Sequence, residues 1–144
     1  MRWITRENIK ADRVACPWLI KRFVDPEAEF LFVPEHELLA VARRENATPF
    51  DASRFADVKL NHRGDRCTFE AILEDFNLAD DALQRLWQIV RAADVKGQEH
   101  VAAEGPGLRA IAQGFACLGL ADHERLRVGF PIYDALYAYV AGVR

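Results

Sequence analysis

Cysteine is scarce in this chain: Cys16, Cys67 and Cys117 are its only three, about fifty positions apart and without a CxxC pair. That spacing suits neither a zinc ribbon nor a disulfide framework, and the odd count points to reduced thiols. The opening Met-Arg-Trp-Ile-Thr-Arg-Glu lacks the apolar stretch of a secretory signal, and no apolar run reaches bilayer length, which reads as a cytoplasmic chain without a membrane partner. Missing too are the Gly-x-Gly-x-x-Gly, P-loop and Gly-x-Ser-x-Gly signatures, so dinucleotide, nucleoside-triphosphate and α/β-hydrolase chemistry in their familiar forms are set aside. A positive excess is also lacking. Nineteen Lys and Arg against 22 Asp and Glu give a net charge of −3, and no global field draws the chain to nucleic acid or an anionic membrane.

What is present is an ordinary globular balance: 144 residues, 51% hydrophobic, 28% charged and 10% aromatic, with no repeat, low-complexity tract or linker-like shift. This predicts one domain over 1–144. Trp3 and Ile4 suggest a short edge strand. The spacing of Val14, Ala15, Trp18, Leu19, Ile20 and Phe23 predicts a helix over 12–23, with Pro17 either near its start or kinking it. The Phe- and Leu-rich run at 28–33 between prolines 26 and 34 reads as a buried strand, and 35–45 as a helix with Arg43 and Arg44 at its end. Phe50 and the stretch 58–60 offer two further extended pieces.

Four more helices follow. One runs over 69–76 with Thr68 as N-cap, and one from Asp80 or Asp81 to Asp94 carries Leu83, Leu86, Trp87 and Val90 inward. After a loop at 97–107, a third runs over 108–118. The last is capped by Asp122 and bent or interrupted at Pro131. The expected class is α+β, predominantly helical, with five to six helices packed on a small sheet formed mainly in the N-terminal half.

The block Asp12-Arg13-Val14-Ala15-Cys16-Pro17-Trp18-Leu19-Ile20, then Arg22-Phe23-Val24-Asp25-Pro26 and Glu29-Phe30-Leu31-Phe32-Val33-Pro34, resembles the opening of the ChrB-type chromate-resistance domain. His62-Arg63-Gly64 with Cys67-Thr68-Phe69-Glu70, the block Ile89-Val90-Arg91-Ala92-Ala93-Asp94, and Tyr133-Asp134-Ala135-Leu136-Tyr137 are similar to the same family, in the same order along nearly the whole chain. The resemblance implies association with chromate-resistance operons, where longer members act as chromate-responsive regulators or resistance factors. Those members carry an additional N-terminal region, and this sequence matches their C-terminal module.

Three constellations could carry chemistry. His62, Glu70 and Asp94 form an N/O set suited to a divalent first-row ion such as zinc, iron or manganese, with room for water or an anion. A turn near Asn77 would make the two helices antiparallel and bring the start of one beside the end of the other. The bland alternative is a helix-start Glu70, a surface-paired Asp94 and a loop histidine. Second, Arg63, Gly64 and Arg66 at a helix start could cradle a tetrahedral oxyanion such as chromate, with Arg13, Lys21 and Arg22 adding charge. Third, Cys67 beside Arg66 is a candidate redox thiol. The Cys16–Trp18 block reads as scaffold, Asp12 and Arg13 as its polar exceptions, and His100 as a spare ligand.

These residues support a metal-containing sensor or binding module for chromate or another small anion, with a metal-dependent redox or hydrolytic enzyme at the same site as the alternative. Direct nucleic-acid binding is not expected, because no helix joins basic side chains to the tight turn of a recognition motif. The aromatic C-terminal helix offers a face for a homodimer or partner.

Overall fold

The computed structural model describes residues 1–142; the side chains of Ala11, Asp12 and Arg13 lie outside the described residues. Three short strands, β1 (Arg2–Arg6), β2 (Glu29–Val33) and β3 (Ala47–Pro49), form a parallel sheet in the order β2-β1-β3. Trp3 pairs with Phe30 on one side and Thr48 on the other. The first strand is therefore central, where an edge was expected. Its residues explain this: Trp3, Ile4 and Thr5 are all buried, as a strand covered on both faces requires.

Ile4 faces a small cluster with Leu38, Ala42, Ala47, Ala52 and Val58, closed by α2 (Leu38–Glu45). Trp3 points the other way into the main core, which the helices supply. At its centre lies α1 (Ala11–Leu19), packed against α3 (Thr68–Asp75), α4 (Asp81–Asp94), α5 (Gly105–Cys117) and α6 (Asp122–Gly142). The seven successive residues from Val14 to Ile20, Pro17 among them, are all buried, so this stretch is apolar all round rather than on one stripe. The helix continues through Pro17 and widens into one π-turn over Ile20–Val24, where the Asp25 N–H donates to the Ile20 carbonyl at 2.7 Å.

The architecture is α+β and predominantly helical, with the sheet in the N-terminal half. Several boundaries moved. Phe50 and Leu60 meet only in an isolated bridge, and the third strand precedes them at Ala47–Pro49, running in from the left-handed Asn46 that ends α2. Helix α5 begins at Gly105 because Pro106 sits comfortably in its first turn, shortening the expected loop. Helix α6 runs unbroken through Pro131. Asp122, the expected cap, is its first residue and accepts the backbone N–H groups of Asn8 at 3.0 Å and Ile9 at 2.8 Å. Buried Arg125 donates to the Ile9 carbonyl at 2.9 Å, so α6 clamps the loop between β1 and α1.

The Cys16–Trp18 block is scaffold. Trp18 is buried against Phe23, Tyr133 and Tyr137, and its indole N–H donates to Asp134 at 2.7 Å. Arg22 grips the same carboxylate through two nitrogens at 3.1 and 3.0 Å, which holds Asp134 below the usual carboxylate range, with the indole N–H contributing.

Candidate functional site

The segment between β3 and α3 has almost no regular structure, and its shape comes from side chains bonding to backbone. Buried Asn61 accepts the Ala52 N–H at 2.6 Å and donates to the carbonyls of Ala52, Phe55 and Val58 at 3.1–3.2 Å, closing that loop around one amide. Asp51 takes a left-handed conformation (φ 48°), its N–H donating to the Leu60 carbonyl at 2.7 Å. Gly64 (φ 66°) allows the tight turn that pairs Arg63 with Arg66 before α3 starts. The segment thus returns residue 62 to the level of residue 51.

His62 is the result of that return. Its Nε2 lies 3.0 Å from Asp94 Oδ2 and 3.5 Å from Asp51 Oδ1. The imidazole is 32% exposed, Asp94 19% and Asp51 8%, so the cluster opens to solvent through the histidine. Asp51 Oδ1 also accepts the buried Thr68 hydroxyl at 2.8 Å, which anchors that carboxylate to the first residue of α3. Asp94 is the last residue of α4 and lines a cavity of about 90 Å³ shared with Lys10, Arg109 and Gln113.

Glu70 serves a neighbouring cluster. Arg91 grips it with Nε at 2.9 Å and Nη2 at 2.6 Å, and the Cys67 N–H donates to it at 2.9 Å. The N-cap of α3 is Cys67 rather than Thr68, because Glu70 reaches back to that N–H while the Thr68 hydroxyl turns to Asp51. Hydrogen bonding to Glu70, outweighing desolvation, raises the Arg91 pKa above its ordinary value, and the guanidinium lies 4.6 Å over the Trp87 ring. Arg66, Glu74, Gln84, Trp87 and Arg91 border a cavity of about 310 Å³ above this pair.

The start of α3 does lie beside the end of α4, with Asn77 left-handed (φ 53°) in the connection, as antiparallel neighbours require. It brings together His62 with Asp94, and Glu70 with Arg91. Among the described residues, no three His, Cys, Asp or Glu side chains already converge as a metal cage. Of the residues considered for an oxyanion, Arg63 holds Asp75 at 3.0 and 2.9 Å, each raising or lowering the other's pKa toward the charged form, and Arg66 holds Glu74 at 2.7 Å. The Arg13 side chain lies outside the described residues. Cys67 is buried and its thiol donates to Glu70 Oε2 at 3.3 Å. His100 is exposed in a short 3₁₀ turn (Glu99–Val101).

Sequence reasoning missed Asp51 and Arg91. Arg91 sits one helical turn after Trp87 and one before Asp94, a spacing that could have marked it as a face-sharing partner. Asp51 carries no local signal, since its role depends on a long-range return of the chain.

No helix among the described residues is long and apolar enough to cross a membrane. A family model described as ChrB, C-terminal domain, matches residues 3–140. The chain is 37% identical over 145 residues to Protein ChrB of Cupriavidus metallidurans strain CH34, a match covering 99% of this chain and 41% of that protein. The chain therefore spans about two fifths of that relative's length. No solved structure matches it. Because the family match runs from β1 nearly to the end of α6 and takes in both the His62 and the Glu70 clusters, the chain belongs to the chromate-resistance family of ChrB C-terminal domains.

Proposed function

We propose that this domain is a sensor or binding module of a chromate-resistance system, in which a divalent first-row cation, zinc, iron or manganese, is held by His62, Asp94 and Asp51. The observation that carries the reading is the approach of His62 Nε2 to one oxygen of each carboxylate, at 3.0 and 3.5 Å. Metal–ligand bonds of about 2.0–2.2 Å leave neighbouring donor atoms roughly 2.9–3.5 Å apart in octahedral or tetrahedral geometry, the range of both His62–carboxylate separations; the two carboxylates would still have to converge on the ion. Two carboxylates and a neutral imidazole also balance the charge of a divalent ion, and three protein ligands leave an open position for water or an anion.

Glu70, engaged by Arg91, supports the site from behind by tying the start of α3 to the last turn of α4. Chromate or a related tetrahedral oxyanion would approach the open position from the cavity beside Asp94, where Lys10 and Arg109 supply positive charge. Arg63 and Arg66 are matched by Asp75 and Glu74 and would have to exchange those partners to take part.

The test is elemental analysis of protein purified without added metal or chelator, repeated for His62→Ala and Asp94→Asn. One equivalent of a first-row metal in the parent chain and its loss from both variants is the expected result. Equal, negligible content in all three would remove the cation site.

A further inference from the structure

Two apolar grooves meet at Phe76, on the side of the sheet where β3 forms the edge. One, of about 410 Å³, is walled by Pro49, Val58 and Leu60; the other, of about 390 Å³, by Met1, Phe23 and Leu78. Thr48 and Phe76 belong to both, so the two make one continuous surface. Phe76 is 40% exposed, and its ring stands 6.2 Å from that of buried Trp3. Phe76 thus stands as an exposed apolar anchor at the junction of the two grooves, beside the β3 edge of the sheet.

The architecture of the longer relative points to the occupant. Met1 is part of the groove wall, and its carbonyl accepts the Glu29 N–H at 3.0 Å, extending the pairing of β1 with β2. Chain preceding this residue in a longer protein would emerge inside the groove. The family is described as a C-terminal domain, and the match takes only 41% of the Cupriavidus protein, so the longer relative has an upstream region to place there. We infer that the Phe76 groove is the docking surface for that upstream polypeptide region, a contact with an apolar centre and a rim formed by Asp25, Asp57, Lys59 and Asp75. The contact is independent of any metal at His62. It gives the module a mechanical connection to a neighbouring domain through α3, the helix that Phe76 immediately follows and that Thr68 ties to Asp51 at its other end.

Thiol labelling tests this. Phe76→Cys is introduced into the chain and into a chimera that joins the part of the Cupriavidus protein preceding the matched stretch to residue 1. The exposed native Cys117 serves as internal reference, since Cys16 and Cys67 are buried. Maleimide should react with position 76 at least tenfold more slowly in the chimera, with Cys117 reacting equally in both. Thr48→Cys, read in the same way, covers the case in which the first variant does not fold. Equal rates at both groove positions would overturn the inference. So would labelling of the unfused chain that slows as its own concentration rises, because a second copy would then be the occupant.

Discussion

Replacing Arg91 by methionine keeps an apolar stem of similar length against Trp87 while removing the guanidinium that grips Glu70. Glu70 is left with the Cys67 N–H at 2.9 Å and the Cys67 thiol at 3.3 Å as its close donors, and with the half-exposed Arg66 guanidinium at 3.8 Å as its remaining countercharge. Its side chain is 6% exposed and that of Arg91 16%, so water replaces the lost fork only in part. Breaking a buried pair by removing one partner costs about 3–5 kcal/mol, and the two remaining donors together with Arg66 place this case at the lower end, about 3 kcal/mol. Against a domain stability of about 5–15 kcal/mol that is a large fraction, and it corresponds to a Tm lower by roughly 10 °C. Urea unfolding followed by far-ultraviolet circular dichroism measures it. Glu70→Gln added to Arg91→Met should recover about 1 kcal/mol, because it removes a buried charge that only Arg66 at 3.8 Å then balances, while keeping an acceptor for the Cys67 N–H. An Arg91→Met variant within 1 kcal/mol of the parent, or a double variant weaker than the single, would show that the Arg91–Glu70 pair does not hold α3 to α4.

Other outcomes follow from the packing and the charges. A Cβ on Gly105 would stand 2.7 Å from the Ala92 backbone carbon, so Gly105→Ala should destabilise by about 2 kcal/mol or more, whereas Gly107→Ala, with open space around it, should be neutral or stabilising by up to about 1 kcal/mol in the same unfolding assay. Asn61→Ala removes four bonds that close the 52–61 loop and should cost about 2–3 kcal/mol, with faster amide exchange confined first to that loop. Asp75 and Asp134 are held below the ordinary carboxylate range by Arg63 and Arg22, so the stability they contribute is present above about pH 4 and lost as pH falls through their lowered values. Urea midpoints measured between pH 7 and pH 3 should fall less steeply in Asp134→Asn than in the parent; identical slopes would contradict the assignment.

How much of this was legible in the sequence depended on range. Helix α4 was readable because its signals are local: Leu83, Leu86 and Val90 repeat at helical spacing, and the Asp80 side chain accepts the Leu83 N–H at 3.0 Å as an N-cap should. Trp18 was readable as core for the same reason, although its partner Asp134, far along the chain, was not. The central place of β1 was hidden because both its neighbours are distant in sequence and its own polar flanks suggest an edge. At the candidate site, the turn at Asn77 allowed the start of α3, with Glu70, to be placed beside the end of α4, with Asp94, and His62 just ahead of α3 comes to Asp94 through the same juxtaposition. Glu70 was assigned to the same set because residue type alone does not reveal that Arg91 takes both of its oxygens. Asp51 reaches the site through a bridge between Phe50 and Leu60 and a left-handed backbone, neither of which has a pattern in the chain.

Isothermal titration of chelator-treated protein with zinc, and in parallel with manganese, reads the cation site at His62 and Asp94 itself. One saturable site is expected for at least one of the two ions, weakened at least tenfold by His62→Ala and by Asp94→Asn, and little changed by His100→Ala. Absence of a saturable site for either ion, or a site indifferent to His62 and Asp94, would contradict it.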